Sequence, residues 1–376
     1  MLAHEIDFIG APEKECKDNA DAICFRIKEN DTYRIYVYDG GFSCHGKRLV
    51  DHLNNYYFDD PYNESPKECK IIDAVIVSHS DRDHTSGLTE VLENFTVCAL
   101  FMNIPWNYAE IITHYECDGR KTVNSVTNEL KEKYKIIADL ELLAKENNIP
   151  IYEAFQGIPI DSHLRILSPS KSFYLKMICD SRDNELPSVI NCADHSLEAL
   201  LEAEHDMSTI ETWEKETLDD DPDLSPSNKT SVVLFGHMYD CKNFLLVGDA
   251  DSEALFNAIE YFETKVKPGK KIRNFLSFIQ IPHHGGRHNV CPDLLNHFIG
   301  PKVIKGVKRN IIAVASTGEN TGYPRRVVSN AFKRRGVTVY SNQGKTLNYK
   351  QGDIPDRNWN VSPELPFYKF VENKKE

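Results

Sequence analysis

The run Ile71-Ile72-Asp73-Ala74-Val75-Ile76-Val77-Ser78 is apolar but for one aspartate, and it opens directly into His79-Ser80-Asp81-Arg82-Asp83-His84. A strand of this kind must be covered on both faces, which places it inside a layered structure. Its end carries four metal-ligating side chain types at i, i+2, i+4 and i+5. A tight loop can turn His79 and Asp81 toward one cation and Asp83 and His84 toward a second. An aspartate after a strand also serves as a helix cap, but four ligand-type residues within six exceed what a cap needs.

Strand and helix patterns alternate on both sides of this cluster. Residues Asp21–Ile27 and Tyr33–Tyr38 read as a hairpin turned at Asn30-Asp31 and stopped by Asp39-Gly40-Gly41. Leu130, Tyr134, Ile137, Leu140 and Leu143 recur at three- and four-residue steps, which predicts a helix from about Val123 to Asn147. Strands are expected at Ile149–Tyr152 and Leu164–Leu167. An acidic stretch follows from about Cys192 to Ser227, with a helical middle at Leu197–Glu204. Beyond it, strands are expected at Ser231–Phe235, Phe244–Val247, Phe275–Ile281, Ile311–Ala315 and Thr338–Tyr340, and helices at Ser252–Phe262 and Val327–Arg335. The alternation predicts a layered α/β architecture. It is read as one domain over 1–376, with a helical insertion at about 107–148 and the acidic one at about 192–227.

Two later strand ends carry chemistry. Gly248-Asp249-Ala250 places a carboxylate where it can bridge two cations, although Gly-Asp is also common turn chemistry. Pro282-His283-His284-Gly285 places two imidazoles after another apolar strand.

Together with Asn228-Lys229-Thr230-Ser231 and Asp39-Gly40-Gly41, these stretches resemble the metallo-β-lactamase superfamily. The order H-x-D-x-D-H-x-x-G-L, N-x-x-S, G-D-A, P-H-H-G is most similar to the branch containing the hydrolase domain of ComEC-type DNA-uptake proteins. The resemblance runs from about Asp21 to Tyr349. It implies a four-layered αββα sandwich and two divalent cations, zinc or, given the carboxylate-rich set, manganese. His79, Asp81 and Asp249 are assigned to one cation, and Asp83, His84, Asp249 and His284 to the other. His283 and His284 compete for that last place, and His284 is preferred because it directly precedes the glycine. Asp83 is the expected acceptor of the nucleophilic water's proton, and His283 the expected acid for the leaving group. Two departures stand out: Asn228 occupies the position where many members have a third-motif histidine, and Gly322-Tyr323-Pro324 replaces the branch's G-H-P. His163, His195 and His205 lie in the region where a substitute ligand would have to be found.

The implied reaction is hydrolysis of a phosphodiester, in DNA or RNA, or of a small-molecule lactone or phosphoester. The chain has 44 Lys and Arg against 57 Asp and Glu, a net charge of −13, which excludes broad charge-driven nucleic-acid binding. A nucleic-acid substrate would therefore need local cations, for which Arg82, Arg287 and the Arg325-Arg326 pair are the candidates, with Asn228 as a further substrate contact. The insertions can also dock a protein partner, as in a multiprotein assembly such as one for antiphage defence. None of the ten cysteines forms a C-x-x-C pair, and no apolar run reaches the roughly 18 residues of a membrane span. A cytoplasmic setting with reduced thiols is expected.

Overall fold

Side chains alternate along the N-terminal hairpin between two apolar layers. Ala22, Cys24, Ile35 and Val37 face one layer, and Ile23, Phe25, Ile27, Tyr36 and Tyr38 face the other. The computed structural model describes residues 2–30, 32–58, 70–115, 121–183, 207, 209–219, 225–238 and 242–373. The hairpin strands Ala22–Glu29 and Thr32–Gly40 lie at the centre of a seven-stranded sheet. Its order is Leu347–Gln351, Ala3–Phe8, Ala22–Glu29, Thr32–Gly40, Ala74–Ile76, Leu100–Phe101 and Ile151–Tyr152. The first four strands pair antiparallel and the rest parallel.

A second sheet has six strands, ordered Thr338–Ser341, Ile312–Ala315, Leu276–Gln280, Asn243–Leu246, Val233–Gly236 and Leu164–Ser168. Its first four strands are parallel. Phe244, Leu246, Phe278 and Val314 meet Phe8, Phe25 and Tyr36 between the sheets. Leu245, Ile279 and Ala313 point the other way, onto helices Ser252–Tyr261, Pro292–Phe298 and Arg326–Arg334. Helices Ser43–His52, Leu88–Asn94, Val123–Lys133 and Lys135–Glu146 cover the outer face of the first sheet. Three apolar layers between four sets of elements make the expected four-layered αββα sandwich.

Several elements depart from the sequence pattern for physical reasons. The apolar run at 71–78 forms two short strands, Ile71–Ile72 and Ala74–Ile76. Asp73 separates them, exchanging hydrogen bonds of 2.8 Å with both backbone groups of Ile35. The helix expected over 123–147 is broken at Tyr134, whose buried hydroxyl lies 2.9 Å from Ser181 Oγ. The helix Lys171–Asp183 shows no single apolar face because it serves two cores: Phe173 and Met177 enter one, and Tyr174 and Ile178 the other. The helix expected at Leu197–Glu204 and most of the acidic stretch lie outside the described residues. Among the described residues, no helix is long and apolar enough to cross a membrane.

Parallel strands share one edge at their carboxyl ends, and open α/β sheets bind ligands there. Asp39, the loop from His79 to His84, Asp249, His283, His284 and Ser316 all leave strands at or near such ends, so the fold brings them together across the two sheets.

Candidate metal centre

Asp249 organises the site. It leaves the strand Asn243–Leu246 through Gly248, which has φ 52° and lies against Ser78, and its carboxylate is buried. Oδ1 is 3.2 Å from His84 Nε2. Oδ2 is 3.3 Å from His283 Nδ1 and 3.9 Å from His79 Nε2. The two oxygens thus face different sets of groups. On the Oδ1 side, donor atoms of Asp83, His84, Asp249 and His284 all lie within 4.8 Å of one another. His284 Nε2 is 3.2 Å from Asp83 Oδ2, so of the two adjacent histidines it is His284 that joins this group. On the Oδ2 side, His79 Nε2 lies 3.5 Å from Asp81 Oδ2.

His84, His284 and His79 are each held by their other nitrogen. His84 Nδ1 lies 2.9 Å from Asp39 Oδ2, and Asp39 also accepts the Ser78 backbone N–H at 2.7 Å. His284 Nδ1 donates to the Ser316 carbonyl at 2.9 Å. His79 Nδ1 faces the hydroxyls of Ser78 at 2.9 Å and Ser231 at 3.3 Å. Ser231 Oγ also accepts the Asp249 N–H at 3.1 Å, which gives the N-x-x-S stretch a physical role. Asn228, its first residue, accepts from Ser225 Oγ at 2.7 Å and turns its Nδ2 to His283 Nδ1 at 2.9 Å. Asp39, His283 and His284 have φ of 60°, 49° and 55°, left-handed backbone that is costly outside glycine and collects at functional sites.

The charge balance calls for cations. Five carboxylates, from Asp21, Asp39, Asp81, Asp83 and Asp249, meet the imidazoles of His79, His84, His283 and His284. Burial works against an imidazolium at His84, but Asp249, Asp83 and Asp39 raise its proton affinity well above the ordinary value. At His284 the same desolvation is overcome by Asp83, Asp21 and Asp249, and the group is raised to about 9. Desolvation raises Asp21 to about 6, against the pull of His284 and His84. At His283 desolvation outweighs the pull of Asp249, and its proton affinity is lowered. Protons on imidazoles here do what divalent cations do in carboxylate–imidazole sites, and metal uptake releases such protons. The buried atoms His79 Nε2, His84 Nε2 and Asp249 Oδ1 have no hydrogen-bond partner and converge, as ligand atoms awaiting a cation do. The residues fit a divalent metal.

Other predicted residues fall elsewhere. Arg287 is largely buried, with Nη1 donating to the Asn373 carbonyl at 3.2 Å and Nη2 3.8 Å from Asp219. Arg325 is only 4% exposed, its guanidinium 4.2 Å from the Tyr323 ring centroid, while Arg82 is exposed on the metal loop. His163 pairs with Glu29 at 3.2 Å, and His195 and His205 lie outside the described residues. Asp21 and Gln280 carry no sequence motif, yet Gln280 donates to Asp21 at 2.7 Å and supports Val247 and Gly248 through its Oε1.

No protein-family model and no curated protein matches the chain. Among solved structures it is similar to unliganded yeast PDE1, with 10% identity, TM-score 0.43, and coverage of 92% of this chain and 99% of that one. It is also similar to the metallo-β-lactamase fold protein YhfI from Bacillus subtilis, with 10% identity, TM-score 0.38, and coverage of 93% and 100%. A third is the hydrolase AbOPH of the beta lactamase superfamily, with 8% identity, TM-score 0.28, and coverage of 61% and 56%. Likeness at these values assigns no activity to the chain.

Proposed function

We propose that the chain is a metal-dependent hydrolase of the metallo-β-lactamase superfamily that cleaves phosphodiesters at a site for two divalent cations, zinc or manganese. The observation that carries this is the division of the Asp249 carboxylate, Oδ1 toward His84 and Oδ2 toward His79 and His283. His79, Asp81 and Asp249 would hold one cation, and Asp83, His84, Asp249 and His284 the other. When bound, such a pair supplies Lewis acidity and makes water a nucleophile at neutral pH.

The chain's own groups do the rest. The Asp83 side chain is 27% exposed, so it reaches both the cluster and the mouth of the site, where it accepts the attacking water's proton. The Asn228 oxygen is taken by Ser225, so its amide donates to His283 Nδ1 and leaves the proton of that ring on Nε2. The His283 side chain is 29% exposed, and its Nε2–H is offered to the leaving oxygen. Ser78, Ser231, Asp39 and the Ser316 carbonyl fix the three remaining imidazoles.

The engagement of Arg287 and the burial of Arg325, on a chain of net charge −13, favour a small phosphodiester over a long nucleic acid. The test is hydrolysis of bis-p-nitrophenyl phosphate, single- and double-stranded DNA, RNA and a lactone with added zinc or manganese. Cleavage of the phosphodiester is expected, lost in Asp83→Ala and His84→Ala chains that keep the parent's circular dichroism and melt. Hydrolysis of the lactone alone would overturn the substrate assignment, and activity surviving both substitutions would overturn the site.

A further inference from the structure

A second set of metal-ligating groups lies outside the carboxylate–imidazole centre. Cys16 stands in the loop between strands Ala3–Phe8 and Ala22–Glu29, and Cys44 and His45 in the first turn of helix Ser43–His52. Donor atoms of the three residues all lie within 4.8 Å of one another. Both cysteines are free thiols and half-buried, and His45 is buried. The two segments are clamped beside the cluster by Arg48, whose guanidinium meets the Glu15 carboxylate through two contacts of 2.8 and 3.2 Å.

We propose that Cys16, Cys44 and His45 form a separate site for a thiophilic cation of the zinc class, held by two sulfurs and one nitrogen with the fourth position left to water. Cys44 Sγ lies 3.5 Å from His45 Nδ1. With zinc–sulfur and zinc–nitrogen bonds of about 2.3 and 2.05 Å, the edge of a tetrahedral site is about 3.6 Å. The edge is therefore already set before any cation arrives. The same groups make a poor redox switch. Burial and the adjacent Cys44 push the Cys16 thiol well up, and disulfide exchange needs a thiolate. A coordinating cation removes the thiol protons itself.

The position gives such a cation a structural consequence. The Cys16 loop ends at Asp21, whose N–H donates to the Asp83 carbonyl at 3.0 Å and whose carboxylate accepts from Gln280. The helix carrying Cys44 follows Gly41, whose N–H donates to the His84 carbonyl at 3.2 Å. A cation joining Cys16 to Cys44 and His45 fastens two backbone supports of the loop that carries Asp83 and His84.

Cobalt separates the two sites without recourse to activity, because the proposed hydrolytic centre offers only nitrogen and oxygen. The reduced full-length chain is titrated with cobalt(II) and its thiolate-to-metal charge-transfer absorption recorded. That absorption is expected in the parent and in Asp249→Ala. It should be lost in Cys16→Ser and Cys44→Ser and weakened in His45→Gln, with bound metal reduced by one per chain in the serine variants. Cys16→Ser falls in a half-buried loop, and a thermal melt of the metal-free variant verifies folding. No charge-transfer band in the reduced parent, or a band retained in both serine variants, would overturn the site. Loss of hydrolysis or of metal at the first centre leaves this result unaffected.

Discussion

Asp39→Asn separates the support of the metal loop from its ligands. Asp39 is fully buried, and its carboxylate accepts from Ser78 N–H at 2.7 Å and from His84 Nδ1 at 2.9 Å. Asparagine has the same shape and tolerates the residue's φ of 60° at least as well, so the backbone gains no strain. Its oxygen can keep the Ser78 contact, but its amide then faces His84 Nδ1 with protons and forces that nitrogen to accept. The His84 proton moves to Nε2, the atom aimed 3.2 Å from Asp249 Oδ1 where a cation would bind. Replacing the supporting partner of a ligating histidine typically weakens metal binding about 10- to 100-fold, roughly 1.4 to 2.8 kcal/mol. Competition against a chelator of known affinity measures this, with the thermal melt of the metal-free chain as the control. Affinity within about twofold of the parent, in a folded variant, would refute the assignment of His84 Nε2 as a ligand and of Asp39 as the group that sets its tautomer.

Three further outcomes are expected. Asp249→Ala should hold much less metal than the parent by elemental analysis, since one carboxylate serves both sets; equal occupancy would end the bridging role. Gly87→Ala should destabilise by about 1–3 kcal/mol, because the added Cβ would lie 2.0 Å from the Gly40 carbonyl oxygen and 2.8 Å from Gly46 Cα; an unchanged denaturation midpoint would show that this backbone crossing yields freely. His4 is buried between Phe244 and Tyr349, and desolvation, with Lys242 adding, lowers its pKa from 6.5 to about 4. The folded chain thus keeps His4 neutral where the unfolded chain protonates it, so its contribution is full above pH 6.5, falls between 6.5 and about 4, and changes no further below. That window amounts to about 3 kcal/mol, and His4→Phe should flatten the acid limb of stability against pH; an unaltered limb would mean that His4 is not titrating there.

The sheet core was legible wherever apolar residues alternated or ran continuously, as in Cys24–Ile27, Tyr36–Tyr38 and Phe244–Val247. The strand Ala3–Phe8 was hidden because its second face carries Glu5 and Asp7, which are buried against Arg357, each at 2.9 Å. Arg357 lies roughly 350 positions away in the chain, a distance that local pattern does not span. The ligand-type residues were legible because chemistry packs them into short motifs. Their supports were legible only in part: Asp39 and Ser231 belong to motifs, while Asp21, Gln280 and Ser316 reach the site through the fold alone.

Asn228 also has a physical role in the cluster. Asn228 Oδ1 is occupied by Ser225, so the amide does not offer a free oxygen to a cation but orients His283. His283 Nδ1 in turn sits 3.3 Å from Asp249 Oδ2, the oxygen that also faces His79. The two halves of the centre are consequently unequal. Asp83, His84, Asp249 and His284 converge within 4.8 Å. The His79 half relies on Asp81, whose side chain is 40% exposed and shared with Ser227 at 2.7 Å. A cation held there would be more hydrated and more readily exchanged than one held by the other four residues, because fewer fixed protein donors would replace its water. The more exposed half also adjoins His283, whose side chain is 29% exposed. On the proposed reading, an exchangeable cation beside His283 would suit the departure of a leaving oxygen, while Asp83, His84, Asp249 and His284 would retain the other cation.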